Sequence, residues 1–420
     1  MKLQWLIILL FLLHAADYTA AQTIFSGEVR PRAEFRDGYR ALQTESSTPA
    51  FFISQRSTLL LNHSSKKLST QFSLRDIRVW GDDGAQHEPR TDLHEAWASL
   101  ILSKGWNLKL GRQELVYDDQ RLLGNVNWAQ HARSHDAIVL KYKSESWKID
   151  LGGGFNQSKE NLSGTYYTSH HYKALGWLWA QRQNKGKFCY SLIVIIDGSQ
   201  EHDSTQKIVY RHTYGGNLHY TTAGAFVNST FYYQSGQTQN KQKISAYMFS
   251  INPGYKWDEI RLDIGLDFLS GNNELSGDST SYTAFNTLYA TNHKFYGTMD
   301  QFLNVPADSK NGGLIDVYLK VNYKIGERFN LQADYHYFQL QNSIPTSSEV
   351  ENDLNKALGS EIDFSCTIKF SESIKLQAGY SLLFAEKSLE EVKGGSKKNP
   401  GSWAWIMLTV KPVFYKSKSK

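Results

Sequence analysis

The stretch EIRLDIGLDF, residues 259–268, alternates strictly between two kinds of side chain. Its odd-numbered positions are charged or glycine, and its even-numbered positions are large and apolar. A helix with 3.6 residues per turn would scatter the charges around its circumference, whereas a strand places them all on one face. Residues 314–323 and 359–370 repeat the pattern. The alternation predicts amphipathic β-strands.

The spacing of the connections indicates which kind of sheet these strands form. In a soluble sandwich the polar face would meet solvent, and in a membrane barrel it would line a water-filled lumen. Short turns are expected at 63–67, 103–106, 144–147, 184–187, 219–222, 255–258, 326–329 and 371–373. Longer polar connections are expected at 37–50, 80–92, 114–131, 156–171, 197–206, 235–242, 270–312, 341–358 and 385–402. This alternation is typical of outer-membrane barrels, which have tight periplasmic turns and long external loops.

The predicted fold class is therefore all-β, a closed antiparallel up-and-down transmembrane β-barrel of about eighteen strands. An even strand number places both termini in the periplasm. Closure is the only way in which a sheet satisfies all its backbone hydrogen bonds in lipid. A barrel of this size encloses an aqueous lumen, and outer-membrane lipid is an expected partner. Aromatic residues near strand ends, Trp403 and Trp405 among them, are expected in the interfacial girdles.

The composition agrees with an exported barrel. The mean hydropathy is −0.47, yet the chain contains 24 Tyr, 21 Phe and 11 Trp. Residues 1–21 are interpreted as a signal peptide, with Lys2 before an apolar run that is too short to span a membrane. Residues 22–420 are interpreted as a single outer-membrane β-barrel domain. The expected location is the bacterial outer membrane.

Charge and cysteine content exclude several classes of protein. The net charge of +5 is mild and does not indicate nucleic acid as a partner. Cys189 and Cys366 are the only cysteines, which rules out a disulfide-stapled scaffold, and no CxxC pair is present. No cofactor and no metal are predicted.

Arginine is concentrated in the first third of the chain. Eleven of the fifteen arginines lie between Arg30 and Arg133. Strand phase places one group of them on the water-filled side: Arg30, Arg32, Arg36, Arg56, Arg75 and Arg133. Guanidinium groups pair bidentately with carboxylates, and a row of them offers an anionic polymer the weak, multiple binding that conduction requires. The alternative is that Arg–carboxylate pairs simply hold the wall together, since acidic residues are frequent on the opposite wall.

Several segments resemble the core of the alginate-export porin family. They are residues 110–114 (LGRQE), 118–124 (DDQRLLG), Asn127-Trp128, 133–137 (RSHDA), 284–289 (AFNTLY), 293–297 (HKFYG) and 300–302 (DQF). The resemblance covers nearly the whole mature chain. It implies an eighteen-stranded outer-membrane barrel, and the type members secrete a polyuronate through an Arg/Lys-lined constriction. It does not carry over the substrate.

The same resemblance implies site residues. Arg112, Arg121 and Arg133 would belong to the constriction, with Asp136 and Glu95 as acidic counterweights. The strand phase is ambiguous for Arg112, because Leu108 and Leu110 share its parity and only a bulge would re-aim it.

The longest connection, 270–312, is too apolar to be a solvated loop tip. Long loops in compact proteins are usually functional. We expect this loop to fold over or into the mouth as a constriction or lid. Its candidate mouth residues are Phe285, Tyr289, His293 and Asp300.

None of the candidate catalytic motifs in the sequence is complete. His94-Glu95 does not begin HExxH, because position 98 is alanine. His131 and His135 have a ligand spacing only on a helix. Gly152-Gly153-Gly154 lacks the Lys-Ser/Thr of a phosphate loop and is expected to leave room on the lumen side of a strand. No nucleophile elbow is present, and the chain is not predicted to be an enzyme.

The expected function is that of an outer-membrane channel for the passive passage of a solute. The solute is expected to be anionic, a polyuronate or another charged saccharide, and periplasmic export machinery is a candidate partner. One alternative is a general, weakly selective porin. Another is an outer-membrane enzyme or binding barrel with a plugged lumen.

Overall fold

The computed structural model describes residues 21–82, 91–167, 171–183, 187–202, 205–273, 280–344 and 356–418. The expected signal peptide lies outside the described residues except for its last position. The same is true of most of the expected turn at 184–187.

Strands make up most of the described chain. They are β1 (Gln22–Asp37), β2 (Ala50–Ser64), β3 (Leu68–Val79), β4 (Thr91–Ser103), β5 (Trp106–Gln113), β6 (His135–Lys143), β7 (Trp147–Phe155), β8 (Ala174–Gln183), β9 (Phe188–Gln200), β10 (Ile208–Thr222), β11 (Ala225–Gln237), β12 (Lys243–Trp257), β13 (Ile260–Leu269), β14 (Ser281–Tyr282), β15 (Leu314–Ile325), β16 (Phe329–Gln339), β17 (Ala357–Lys369), β18 (Ile374–Ala385), β19 (Gly401–Val410) and β20 (Val413–Lys416). A short helix, α1, spans Lys387–Lys393, and 3₁₀ turns cover Asn292–Lys294 and Ala307–Ser309. Within the described residues, no helix is long and apolar enough to cross a membrane.

The sheet closes on itself. Strand β1 pairs antiparallel with β2 along one edge and with β19 along the other. Each further wall strand pairs with its neighbour in sequence, and β13 skips the two-residue β14 to pair with β15. Strand β20 continues the last strand along β1. The wall therefore has eighteen strands, which confirms the predicted fold class.

The two faces of the wall are as the alternation predicts. On β13, Ile264 is 54% exposed on the outer face, whereas Asp267 is fully buried on the inner face. An apolar outer surface and a polar inner one are what a lipid-embedded barrel with a hydrated interior requires.

Two of the predicted short turns lie a few residues later than expected. Strand β10 runs to Thr222, so the first turn falls after the predicted segment 219–222. Strand β12 runs to Trp257 and β13 begins at Ile260, so the second turn overlaps the predicted segment 255–258 only at its last residue. The first of these turns is Ala223-Gly224, in which both residues have positive φ angles. Two-residue hairpins require that conformation, and a glycine makes it accessible.

Two long connections fold into the lumen. We call residues 114–134 the first inner loop, and residues 270–273 and 280–313, the described part of the longest connection, the second inner loop. They join through backbone hydrogen bonds, Gly124 N to Tyr289 O at 2.9 Å and Thr291 N to Gln120 O at 2.9 Å. Their apolar side chains form a core inside the barrel that includes Leu123, Phe285, Tyr296, Met299 and Phe302. The prediction that the longest connection folds inward is confirmed for its described part.

Glycines in the wall make room for aromatic side chains of the neighbouring strand. A Cβ atom on Gly152 would lie 2.1 Å from the ring of Trp177, its register partner on β8. Gly379 and Trp405 are paired in the same way on β18 and β19. Trp177 then donates a hydrogen bond to Tyr117 Oη of the first inner loop at 2.9 Å. The glycine run at 152–154 therefore leaves space inside the barrel, as expected.

Candidate channel constriction

The arginines of β1 and β3 hold the first inner loop against the wall. Arg30 donates to the backbone oxygen of Asn127 at 2.8 Å and to that of Ala129 at 3.2 Å. Arg32 and Arg75 donate in the same way to Trp128 O and His131 O, at 2.9 Å and 2.8 Å. A series of loop carbonyls thus accepts from a series of guanidinium groups. These arginines are on the lumen side, but much of their donor capacity is used by the protein itself.

Carboxylates of β1 occupy further guanidinium donors. Arg56 donates to Glu28 at 2.6 Å, and Arg32 and Arg36 both donate to Glu34 at 2.8 Å. Of these, Arg36 is the more accessible, with its side chain 31% exposed. Pairs of this kind match the alternative in which arginine–carboxylate contacts hold the wall.

Arg121 makes the ion pairs and hydrogen bonds at the contact between the two inner loops. Its guanidinium is buried and lies 2.9 Å from carboxylate oxygens of both Asp119 and Asp267. It also packs on the ring of Phe295 at 3.9 Å and donates to Tyr296 Oη at 3.3 Å. Burial alone would lower the pKa of Arg121, but Asp267 and Asp119 outweigh that effect and raise it. The contact ties the first inner loop to the second and to β13.

Arg133 forms a second link between the loops. Its Nη1 donates to Ala290 O at 3.1 Å. Burial lowers the pKa of this guanidinium. Arg121 and Arg133 therefore both lie where the loops meet, close to the constriction that the family resemblance implies for them.

Arg112 and Asp136 are on the outer face, so the expectation that they line the constriction was wrong. They are register partners on β5 and β6, next to the paired, outward-facing Leu110 and Ile138. Their side chains are 41% and 58% exposed and pair with each other at 3.2 Å. No bulge re-aims Arg112, so it keeps the parity of Leu108 and Leu110.

Glu95, unlike Asp136, faces the lumen. Its Oε1 accepts from Trp97 Nε1 at 3.1 Å and from Glu114 N at 3.3 Å. His94, Glu95 and Glu114 bring ligand atoms within 4.8 Å of one another, the only such group within the described ranges. These three could hold a metal ion only by giving up hydrogen bonds, since Glu114 already accepts from His94 at 2.8 Å and from Asn125 at 2.8 Å.

Aromatic side chains fill the gap between the loops and β19. Trp128 stacks on His293 with ring centroids 4.5 Å apart, and Arg32 lies over its ring at 4.3 Å. Trp403 and Trp405 pack edge-on against Trp128. These two tryptophans face inward, so their assignment to a membrane girdle was wrong. Strand-end position alone suggested the girdle, whereas their parity on β19, opposite to Ile406, indicates the lumen.

The candidate mouth residues anchor the second inner loop. Phe285 is fully buried in the inner core. Tyr289 Oη donates to Asp197 on β9 at 2.6 Å. Burial raises the pKa of the phenol, and the charge of Asp197 raises it further. Asp300 accepts from Tyr39 Oη and lies 2.7 Å from His293 Nδ1. The pattern of the sequence did not single out Tyr39, because its role depends on a loop 261 residues away.

Cavities lie on both sides of the inner loops. The one on the periplasmic side has a volume of about 220 Å³. Its charged lining consists of four cations and four carboxylates: Arg121, Arg261, Lys294, Lys320, Asp119, Asp263, Asp267 and Asp316. The one on the external side has a volume of about 250 Å³.

The periplasmic half of the lumen is basic. The cationic side chains at inward positions of this half include Lys109, Lys141, Lys256, Arg261, Lys320, Lys369, Lys375 and Lys411. The carboxylates that pair with some of them are Glu28, Asp150, Asp263 and Asp334. Cations therefore outnumber the carboxylates that neutralise them, on the strands next to the short turns.

The whole barrel is similar in fold to solved outer-membrane channels. Acinetobacter baumannii OccAB4 superposes with a TM-score of 0.62 at 11% identity, over 95% of this chain and 100% of that one. Pseudomonas aeruginosa OccK11 (OpdR) gives 0.61 at 12%, over 94% and 96%. Pseudomonas aeruginosa OccK2 (OpdF), solved in complex with glucuronate, gives 0.59 at 10%, over 94% and 98%. No curated protein matches the sequence.

The family model for alginate export matches residues 21–154 and 156–416, nearly the whole chain. With the closed barrel and its inward loops, this match identifies a porin-like channel of the bacterial outer membrane. Lipid surrounds the apolar outer face, and solutes pass through the lumen. The chain belongs to the alginate export family.

Proposed function

We propose that the channel passes anionic solutes, with a uronate or another acidic saccharide as the preferred class. The observation that carries the proposal is the basic lining of the periplasmic half of the lumen. A cleft lined by one sign of charge and bounded by low-dielectric walls concentrates ions of the opposite sign. Anions that enter from the periplasm would therefore be enriched along the strands next to the short turns.

The arginine row contributes to this field without acting as a series of ligand sites. Arg30, Arg32 and Arg75 remain charged while their donors bind loop carbonyls. They add positive potential near the constriction and keep the loop in place. Passage of a solute then depends on its long-range electrostatic attraction to the lumen and on the width of the pathway between the inner loops.

The fold neighbours support the solute class in general terms. One of them, OccK2, was solved with glucuronate, an acidic sugar. At 10% identity that observation concerns OccK2 alone, and the charged residues of this chain carry the proposal.

Reversal potentials across planar bilayers with a salt gradient test it. The wild-type channel is expected to be anion-selective. The double variant Lys369→Gln/Lys375→Gln should move the permeability ratio towards one, because these register partners are among the lumen cations. Arg78→Gln is the matched control, since Arg78 is exposed and paired with Asp76 at a strand end. A cation-selective wild-type channel, or equal effects of both variants, would contradict the proposal.

A general, weakly selective porin is the second candidate. It is favoured by the acidic wall of β13 and β16, where Asp267 pairs with Arg121 and Asp334 pairs with Lys320. Such a channel would conduct with a permeability ratio near one and would not be blocked by oligouronates.

A further inference from the structure

One lumenal arginine differs from all those that hold the inner loops. Arg211 lies on the inner face of β10, at its external end. Its side chain is 18% exposed, and it makes no hydrogen bond with the described residues. The nearest carboxylate oxygen, Asp197 Oδ2, is 3.9 Å from Nη1, beyond hydrogen-bonding distance.

The unused donor of Arg211 is itself buried. Its Nε has no partner, while Nη1 is the atom that faces Asp197. Asp197 is engaged elsewhere, because its Oδ1 accepts from Tyr289 Oη at 2.6 Å. Leaving a buried charged donor unsatisfied is costly, so a guanidinium in this state is suited to an acceptor from outside the protein. Arg211 lines the external cavity, so its guanidinium can donate a charge-assisted hydrogen bond to a carboxylate there.

The surroundings of Arg211 add neutral hydrogen-bonding groups. It lines the external cavity of about 250 Å³ together with Gln237, Gln239 and Asn240. The side chains of Gln237 and Asn240 have no hydrogen-bond partner within the described ranges. Amide groups donate and accept at once, which matches the hydroxyl groups of a sugar. The pocket therefore combines one cation with several amides, and the carboxylate of Asp197 lies at its wall beside Arg211.

We propose that this external pocket is a binding subsite for a hydroxylated carboxylate, such as the end of a uronate chain. Arg211 takes the carboxylate, and Gln237 and Asn240 take ring hydroxyls. The pocket lies on the external side of the inner loops, so it is separate from the basic periplasmic lining. The proposal rests on the proposed function for its solute class, but it assigns a different set of residues.

Current block by D-glucuronate in planar bilayers tests the subsite. Glucuronate added to the external side is expected to block at lower concentration than from the periplasmic side. Arg211→Gln should raise the external half-blocking concentration by about tenfold or more, because a charge-assisted hydrogen bond is lost. Arg78→Gln, on the outer face, should leave it unchanged. Equal blocking concentrations for wild type and Arg211→Gln would overturn the proposal.

Acetate, as a comparison anion without hydroxyl groups, separates a saccharide subsite from a simple anion site. The double variant Gln237→Ala/Asn240→Ala should weaken block by glucuronate and leave block by acetate as it is. If acetate blocks the wild type as well as glucuronate does, the hydroxyl recognition is wrong. Reversal potentials measured in the same bilayers distinguish the two proposals. A wild-type channel that is not anion-selective, but whose block by glucuronate still depends on Arg211, would refute only the proposed function.

Discussion

The arginine side chains of the lumen differ in the acceptors that their N–H groups bind. Arg30, Arg32 and Arg75 bind loop carbonyls, Arg121 binds carboxylates, and Arg211 has no hydrogen-bond partner among the described residues. Alternation along a strand predicts the face on which a residue lies, and it places Arg30 and Arg75 correctly. It cannot predict which donors are occupied, because the acceptors are carbonyls of a loop 56 to 99 residues away in the sequence.

Arg121→Gln should destabilise the protein strongly. The change leaves Asp267 buried without its cation, and breaking a buried ion pair in this way costs about 3–5 kcal/mol. Denaturant unfolding of the purified barrel measures the loss. Arg261→Gln is the control, because its pair with Asp263 is partly exposed and should cost about 1 kcal/mol or less. Similar losses for both variants would contradict the assignment of Arg121 as the centre of the loop contact.

Arg112→Gln should leave ion selectivity unchanged. Its side chain is on the outer face with Asp136, away from the lumen. Reversal potentials of the variant and the wild type are expected to coincide. A shift as large as that of the lumenal lysine variant would mean that Arg112 reaches the pathway after all.

At the scale of elements, the inner loops decide how wide the pathway is. The sequence indicated that residues 270–312 are too apolar to extend into solvent, and their described part is buried in the lumen. It did not indicate that the first inner loop meets them, because backbone contacts such as Tyr289 N to Leu122 O have no signature in a single sequence. The family resemblance implied site residues in both segments, but it did not indicate how the segments contact each other.

Deleting residues 275–305 should enlarge the single-channel conductance and weaken solute discrimination. The deletion removes Phe285, Tyr289 and Tyr296, and with them the packing around Leu123 and Arg121. Single-channel recording with charged and neutral sugars measures both effects. Unchanged conductance would show that the second inner loop does not narrow the pathway.

Acidification should loosen the first inner loop. Burial would raise the pKa of Glu114, but hydrogen bonds from His94 and Asn125 outweigh it and hold the pKa below its ordinary value of 4.5. A carboxylate with a lowered pKa stabilises the fold above its ordinary pKa, and the contribution is lost as the pH falls through the lowered value. Current fluctuations should therefore increase below about pH 4.5, and Glu114→Gln should fluctuate in this way already at neutral pH. If the current fluctuations of Glu114→Gln depend on pH in the same way as those of the wild type, this role of Glu114 is contradicted.

For the whole molecule, the sequence predicts the wall better than the interior. Period-two alternation and the spacing of connections predict a closed barrel of about eighteen strands, because both follow from local chain geometry. The arginines of the first strands lie on the lumen side, as strand phase predicts, but loop carbonyls and carboxylates occupy many of their donors. Further lumenal cations lie along the periplasmic half, on strands from β5 to β18 and just beyond β19 at Lys411, and carboxylates pair with only some of them. Tertiary pairing, which strand phase does not show, decides which charges are neutralised.

Liposome swelling tests the central claim most directly. Proteoliposomes are placed in isotonic solutions of glucuronate or of glucosamine, sugars of similar size and opposite charge. A channel with a basic lumen predicts faster swelling in glucuronate, and a smaller difference for Lys369→Gln/Lys375→Gln. Faster swelling in glucosamine, or no swelling in either sugar, would contradict the account.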